Sequence, residues 1–222
     1  MNNLPKFNNQ KLQQQAFIHR SYLNEAKEEL ESNERLEFLG DSILSFVVSE
    51  HLYKTYPQFD EGILTNLRSL VVNTKSLAKK ARELHFGDHL MLSRGEEESK
   101  GRENESILAN TFEAVIGSLF LDQGIEAVKT FLNEVLIPDI EVYVQKKVFK
   151  DPKSLLQEHV QSKKQQSPVY KVLHEEGPAH AKQFTIGVFI ENTLMGEGTG
   201  KSKQEGEERA AEQALEQIQK AK

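Results

Sequence analysis

Hydrophobic residues recur at intervals of three and four along the first two thirds of the chain, up to about Lys150. This spacing is typical of α-helices with one face in a core, and few glycines or prolines interrupt it. The pattern predicts helices over residues 8–18, 33–55, 60–72, 74–84, 104–122 and 124–146. This part of the chain is therefore predicted to be all α.

The remaining residues follow a different pattern. Asp151 and Pro152 supply an N-cap and a first-turn proline for a short helix. The hydrophobic period then changes to about two, which predicts three strands in a meander, with Glu191 and Asn192 as a turn. The strands are expected at 169–177, 182–190 and 193–200, and the end of the chain returns to an amphipathic helix.

These patterns predict two domains. The first is an all-α domain over residues 1–147, and the second is an α+β domain over residues 150–222. The second has the order α-β-β-β-α, so its two helices should cover one face of the sheet.

Composition restricts the type of protein and the type of metal site. With 222 residues, 37% hydrophobic and 28% charged, the chain has a globular composition. No apolar run approaches the roughly 18 residues of a membrane span, and the first residues lack the pattern of a secretion signal, so we expect a cytoplasmic protein without membrane contact. The absence of cysteine leaves oxygen and histidine as ligands, which favours Mg²⁺ or Mn²⁺.

Net charge bears on nucleic-acid binding. A formal charge of −6 means that binding to a polyanion would need local basic patches or metal ions. Composition alone therefore does not suggest a nucleic-acid-binding protein.

Three carboxylates share one stripe of the predicted helix 33–55, in the segment that reads NERLEFLGD. Glu34 and Asp41 lie about 20° apart around the helix, and Glu37 lies within about 60° of both. The stripe could be a solvated acidic face, but it becomes apolar at Val48, which favours a cleft or interface. Clustered carboxylates raise one another's pKa unless a cation joins them. The stripe therefore predicts a divalent metal site.

A second helix carries a matching pair of oxygen ligands. In the segment ESILANTFEAVIG, Asn110 and Glu113 are three residues apart and so are neighbours on the helix. Gly117, one turn further, would allow another helix or a ligand to approach closely. Taken alone, the pair could be the polar edge of a core helix. Together, the two helices predict a carboxylate cage suited to Mg²⁺, and such cages can hydrolyse phosphodiesters.

The two motifs resemble those of a known family. NERLEFLGDSIL is similar to the signature of the ribonuclease III family, and ESILANTFEAVIG resembles its second catalytic segment. The residues from DPKSLLQEHVQ to GKSKQEGEERAAEQAL look like the double-stranded-RNA-binding domain that follows in the bacterial enzymes. The resemblance covers nearly the whole chain in the expected order. It implies a ribonuclease III endonuclease domain over 1–147 and an RNA-binding domain over 150–222.

The resemblance also implies an activity. Members of this family are Mg²⁺-dependent endoribonucleases that cut double-stranded RNA as homodimers. The expected substrates are precursors of ribosomal and other structured RNAs. The expected products carry 5′-phosphate and 3′-hydroxyl ends with a short 3′ overhang.

Four residues are implied to form the metal site. Glu37, Asp41 and Glu113 match the family's metal-binding and catalytic carboxylates, and Asp41 and Glu113 are the expected active-site residues. Asn110 stands where the family usually has aspartate. Its amide oxygen can bind a cation, but it carries no negative charge and cannot act as a base. We therefore hypothesise weaker metal binding or slower turnover.

Three further residues of the predicted nuclease domain have implied roles. Glu34 and Glu61 match acids implicated in substrate engagement, although either could be an ordinary surface charge. Phe38, beside the acidic stripe, is expected to insert into the partner subunit of the homodimer.

The second domain is expected to contact the RNA duplex at three places, namely the first helix, the loop between the first two strands and the start of the last helix. A duplex of this kind is recognised mainly through phosphates and 2′-hydroxyls. The implied contact residues are Gln157, Glu158, His180, Lys201, Ser202 and Lys203.

The start of the last helix departs from the family pattern. The family commonly has consecutive basic residues and an alanine there, whereas this chain has Gln204, Glu205 and Gly206. Residues 151–222 contain ten Lys and Arg against eleven Asp and Glu, a net charge of −1. Glycine also costs a helix about 1 kcal/mol relative to alanine. We expect modest RNA affinity that falls with salt.

Two other functions compete with the nuclease. A double-stranded-RNA-binding protein that no longer cuts is supported by Asn110, whereas the three retained carboxylates favour the enzyme. A carboxylate-bridged redox protein of the helical-bundle type would need Glu-x-x-His spacing on its metal helices. Neither helix has this spacing.

Overall fold

The computed structural model describes residues 4–147, 152–178 and 182–220. Contacts divide the chain into two compact units, Met1–Phe149 and Lys150–Lys222, and each is described by itself. No helix within the described ranges is both long and apolar enough to span a membrane.

The described part of the first unit is almost entirely helical, which confirms its predicted class. Three short 3-10 turns, at Arg20–Asn24, Phe86–His89 and Gly101–Glu103, lie between its α-helices. The α-helices are α1 (Gln10–Ala16), α2 (Glu34–Thr55), α3 (Glu61–Val71), α4 (Thr74–Glu83), α5 (Arg94–Glu98), α6 (Glu105–Gln123), α7 (Ile125–Val135) and α8 (Ile137–Gln145).

Helix α6 lies at the centre of this unit and packs against α1, α2, α4 and α7. It is apolar around most of its circumference, so nearly every side chain between Ile107 and Leu119 is buried. Helix α2 crosses α6 at two glycines. A Cβ atom on Gly40 would lie 1.8 Å from the carbonyl oxygen of Glu113, and one on Gly117 would lie 2.2 Å from that of Leu36. The two backbones are therefore in direct contact.

The prediction of a single helix over 124–146 is wrong. Helix α7 ends at Val135 and α8 begins at Ile137, with Pro138 in its first turn. Proline has no N–H, and its ring clashes with the carbonyl group four residues earlier, so it cannot continue a helix but fits at the start of one. Pro138 in the sequence therefore already indicated a helix break at this position.

The second unit has the predicted order of elements. Its elements are α9 (Pro152–Ser162), β1 (Val169–Glu176), β2 (Gln183–Ile190), β3 (Thr193–Gly200) and α10 (Lys203–Lys220). The strands form an antiparallel meander in the order β1-β2-β3. Glu191 and Asn192 join β2 to β3 with left-handed φ values of 50° and 69°, as a tight hairpin turn requires.

The core of the second unit lies between the sheet and its helices, as predicted. Leu156 and Val160 of α9 meet Val188 of β2 and Ala210 and Ala214 of α10. Gly206 of α10 is buried, and a Cβ atom there would lie 2.6 Å from Cγ1 of Ile186. Glycine at this position therefore leaves room for the Ile186 side chain.

Candidate active site

A cavity of about 960 Å³ opens in the first unit between α2, α6 and the segment around residues 19–24. It brings together all four residues assigned to the metal site from the sequence, with two others of α2. The lining residues from α2 are Glu34, Glu37, Phe38 and Asp41, and those from α6 include Asn110 and Glu113.

Asparagine side chains hold the starts of both helices. Asn33, which is only 3% exposed, precedes α2, and its side-chain amide donates a hydrogen bond to the carbonyl oxygen of Ala16 at 3.2 Å. Asn104 precedes α6, and its side-chain oxygen accepts hydrogen bonds from the backbone N–H groups of Ser106 and Ile107. Asn104 therefore satisfies N–H groups that have no partner within α6. Asn33 makes no side-chain capping bond, and instead connects the start of α2 to the end of α1. These hydrogen bonds fix the helix ends that face the cavity.

Burial and the repulsion of neighbouring carboxylates raise the pKa of Glu113 and of Glu37. Burial raises the pKa of Glu113 to about 7, with further contributions from the negative charges of Asp41 and Glu37. Burial also raises the pKa of Glu37, and repulsion from Glu34 and Asp41 adds to this effect. The site therefore concentrates negative charge that a cation would stabilise.

The side chains of Glu37, Asp41, Asn110 and Glu113 are of the type that binds a hard divalent cation. Three carboxylates and one amide offer only oxygen atoms, which Mg²⁺ and Mn²⁺ prefer. Among the residues that the structure describes, no three histidine, aspartate or glutamate side chains stand as a ready-made ligand set.

Asn110 interacts directly with one of the carboxylates. A hydrogen bond from its side chain to Glu37 lowers the pKa of Glu37, against the larger effects of burial and repulsion. In such a contact the amide nitrogen is the donor, and the amide oxygen is the atom that could bind a cation. Compared with aspartate, asparagine removes one negative charge from the cavity.

Glu61 is not among the residues that line this cavity. It lies at the start of α3 and lines a separate hollow of about 230 Å³ with Tyr53 and Arg68. Its assignment to substrate engagement stays a prediction.

Phe38 is 78% exposed and lies between the acidic cavity and an apolar hollow that includes Leu121. Its role in dimer contact also stays a prediction.

Three residues near the carboxylates were not predicted from the sequence. His19 and Arg20 line the cavity at the start of the first 3-10 turn, and Glu96 enters it from α5. The negative charge of Glu96 raises the pKa of His19, although burial has the larger effect and lowers it. Residues 19–32 and 85–103 have no sustained helical period, so no pattern indicated that they fold towards α2.

The assigned RNA-binding residues lie at two described places in the second unit. Gln157 and Glu158 are exposed on α9, and Lys201, Ser202 and Lys203 are exposed where α10 begins. His180 lies outside the described residues. The Ser202 hydroxyl oxygen accepts a hydrogen bond from the backbone N–H of Glu205 at 3.1 Å, so Ser202 also caps α10.

Acidic side chains already interact with the basic residues at the start of α10. The Lys203 ammonium lies 3.8 Å from the carboxylate of Glu175. The carboxylate of Glu205 accepts a hydrogen bond from the backbone N–H of Lys201 and pairs with Arg209 at 2.7 Å. A phosphate arriving here would meet these carboxylates as well as the lysines.

Comparison with known proteins identifies both units. Residues 9–140 match the family model described as Ribonuclease-III-like, and residues 152–218 match the double-stranded RNA binding motif. Ribonuclease 3 of Bacillus licheniformis is 47% identical over 216 residues, which cover 97% of this chain and 86% of that protein. The chain belongs to the ribonuclease III family. The two-domain fold expected from the resemblance is thus confirmed.

Another curated protein and two solved structures are also similar to this chain. Ribonuclease 3 of Streptococcus equi subsp. zooepidemicus is 44% identical over 96% of this chain and 93% of its own length. A solved structure of the nuclease domain of ribonuclease III from Campylobacter jejuni matches 59% of this chain and 87% of its own chain, with a TM-score of 0.55 and 39% identity. Dicer from Pichia stipitis matches 96% of both chains, with a TM-score of 0.50 and 28% identity.

Proposed function

We propose that this ribonuclease III family member is an endoribonuclease that hydrolyses phosphodiester bonds in double-stranded RNA with Mg²⁺ as its metal. The observation that carries the proposal is the shared cavity of Glu37, Asp41 and Glu113, in a chain that also contains a double-stranded RNA binding motif. The family consists of metal-dependent nucleases, and the curated relatives that match nearly the full chain are named Ribonuclease 3.

Glu37, Asp41, Asn110 and Glu113 would hold the metal. When bound, a divalent cation supplies positive charge that polarises a phosphodiester and activates water for attack on it. Mn²⁺ offers the same preference for oxygen ligands and is expected to substitute. Without a metal the pKa of Glu113 is about 7, and a bound cation would favour loss of its proton and so the ionised carboxylate. Asn110 can orient a ligand but cannot take up a proton.

The second domain would present the duplex to this site. Lys201 and Lys203, exposed at the start of α10, would attract phosphates, and Gln157 and Glu158, exposed on α9, would contact a minor groove. The balanced charge of this domain supports modest affinity that decreases as salt rises. Tight hairpin binding at high salt in a filter-retention assay would contradict this expectation.

We also propose a homodimer as the working form. In the nuclease domain of Campylobacter jejuni ribonuclease III, one region is described as flexible and involved in dimer formation. Phe38, large and 78% exposed beside the cavity, is a suitable contact residue. Two-fold symmetry would give each strand of a duplex one active site, with 5′-phosphate and 3′-hydroxyl products and a short 3′ overhang. Precursors of ribosomal RNA in the cytoplasm are the expected substrates.

A binding protein without cleavage activity is the second candidate, and Asn110 favours it. Hairpin cleavage separates the two functions. We expect a labelled RNA hairpin to be cut in Mg²⁺ and to remain intact in EDTA. Asp41→Asn and Glu113→Gln should abolish cutting while hairpin retention on a filter persists. If the parent protein retains the hairpin but never cuts it in Mg²⁺ or Mn²⁺, the binding function is correct.

A further inference from the structure

Arg20 has an unusual position in the acidic cavity. Five carboxylates line this cavity, those of Glu34, Glu37, Asp41, Glu96 and Glu113. Of the described residues that line it, Arg20 is the only lysine or arginine. An RNA strand that reaches the carboxylates therefore meets a single permanent positive side chain there.

The ion pair that Arg20 makes in the free protein is weak. Its Nη1 atom lies 3.5 Å from Oε1 of Glu34, and the two side chains are 71% and 54% exposed. Exposed pairs of this kind contribute about 1 kcal/mol or less, because water and salt screen them. The other carboxylate oxygen of Glu34 accepts a hydrogen bond from the Ser32 hydroxyl at 3.0 Å. Glu34 therefore keeps a partner when Arg20 leaves.

The backbone that carries Arg20 is held firmly. The His19 Nδ1 atom accepts a hydrogen bond from the Ser21 backbone N–H at 3.3 Å and lies 2.8 Å from the Ser21 hydroxyl oxygen. That hydroxyl oxygen also accepts a hydrogen bond from the backbone N–H of Ser93, and the His19 N–H donates to the carbonyl oxygen of Met91. These hydrogen bonds connect the 3-10 turn that carries Arg20 to Met91 and Ser93, so the backbone from which the Arg20 side chain extends is fixed.

We infer that Arg20 exchanges Glu34 for a backbone phosphate of the RNA strand and thereby anchors that strand in the acidic cavity. The planar guanidinium can donate two parallel hydrogen bonds to one phosphate, which a lysine cannot do. The phosphate contact is stronger than the exposed pair that it replaces, because donor and acceptor are then partly shielded from water. This inference rests on the proposed nuclease function and adds a substrate-binding residue to it.

The test compares three variants of the full chain. Arg20→Ala removes the contact, and Arg20→Lys keeps the charge without the two-pronged geometry. Arg82→Ala is the matched control, because Arg82 makes a similar exposed pair with Glu105 at 3.4 Å and does not line the cavity. The readouts are kcat and KM for cleavage of a 5′-labelled RNA hairpin in Mg²⁺ over a series of KCl concentrations.

We expect Arg20→Ala to raise KM about ten-fold and to change kcat less than two-fold, because a phosphate anchor binds the ground state and the transition state equally. The plot of log(kcat/KM) against log[KCl] should become shallower by about 0.9, the value for one lost phosphate contact. Arg20→Lys should keep the parent slope and recover part of the loss in KM. Arg82→Ala should match the parent in all three quantities.

Other outcomes overturn the inference. If Arg20→Ala lowers kcat and leaves KM and the salt slope unchanged, Arg20 acts on the nearby carboxylates, since it already lowers the pKa of Glu37. If the parent protein does not cut the hairpin, the proposed nuclease function fails. The salt slope of hairpin retention on a filter then decides the role of Arg20 by the same comparison. Far-UV circular dichroism confirms that each variant is folded.

Discussion

Gly40 of α2 lies directly against the backbone carbonyl group of Glu113 in α6, with no room for a methyl group between them. Gly117 makes the reciprocal contact with the carbonyl group of Leu36. Because Glu37 and Asp41 flank Gly40 in α2, this crossing brings their side chains to the same cavity as Glu113. The close approach of the two helices therefore determines the spacing of the carboxylates.

Substitution of either crossing glycine should separate the helices. We expect Gly40→Ala or Gly117→Ala to lower the free energy of unfolding by about 3 kcal/mol, because backbone atoms must move to admit the methyl group. Mg²⁺-dependent cleavage should fall at least ten-fold at temperatures where the variant remains folded. Gly95→Ala is the control, since a Cβ atom there meets nothing within 4 Å. Unfolding in urea and hairpin cleavage measure both effects, and wild-type values for Gly40→Ala would refute the expectation.

The pKa of Glu113 predicts how stability depends on pH in EDTA. The folded-state pKa is about 7, above the ordinary value of 4.5, so the folded protein binds more protons than the unfolded chain between these values. Stability should therefore fall as pH rises from about 4.5 to about 7 and stay low above that range. Glu113→Gln should remove this loss.

The measurement is the free energy of unfolding of the parent and of Glu113→Gln in EDTA at pH 4.5 and pH 8, and again at pH 8 with Mg²⁺. At pH 8 in EDTA, Glu113→Gln should be more stable than the parent by on the order of 2 kcal/mol, a value reduced for the partial exposure of the side chain. At pH 4.5 the two proteins should be equally stable. Mg²⁺ should stabilise the parent at pH 8 more than the variant. An equal difference in stability between the parent and the variant at pH 4.5 and pH 8 would show that the pKa of Glu113 is not raised.

Asn110→Asp should strengthen metal binding. The substitution adds a fourth carboxylate beside Glu37, Asp41 and Glu113, so the Mg²⁺ concentration for half-maximal hairpin cleavage should fall about five-fold or more, and the rate should rise. Asn104→Asp is the matched control, because it adds the same charge to the cavity lining and aspartate caps α6 equally well. If both variants give the Mg²⁺ dependence of the parent, asparagine at position 110 is neutral.

Gln204→Lys should improve RNA binding by the second domain. Gln204 is exposed in the first turn of α10, where its side chain donates a hydrogen bond only to Glu208 among the contacts described. A lysine there should tighten hairpin binding several-fold and steepen the salt slope by about 0.9. Gln217→Lys adds the same charge near the other end of α10 and should change neither quantity. Filter retention over a KCl series measures both, and equal slopes for the two variants would exclude a local phosphate contact.

Features that depend on regular periodicity were predictable from the sequence. The helices that carry Glu37 and Glu113, the three-stranded meander and the turn at Glu191 all follow from spacing within about twenty residues. The resemblance to ribonuclease III then linked two helices that are distant in the chain. Local patterns alone did not require these helices to touch, although Gly117 indicated a close approach.

Features that depend on packing between distant segments were not predictable. Arg20 reaches the cavity from a 3-10 turn and Glu96 from the short helix α5, and the hydrogen bond between Ser93 and Ser21 connects these two segments. Gly206 was expected from the sequence only to weaken α10, whereas the structure shows that its missing side chain makes room for Ile186. The break at Pro138 was predictable, since proline interrupts a helical pattern by a purely local mechanism.

The imbalance of five carboxylates against one guanidinium links the occupancy of the cavity by cation and by substrate. Without bound cations the carboxylates of the cavity repel a polyanion. A bound polyanion in turn adds negative charge that attracts further cations. Thermodynamic reciprocity requires that each binding event favour the other by the same factor. If the proposed function is correct, a low concentration of free Mg²⁺ should therefore weaken RNA binding at the cavity as well as slow cleavage.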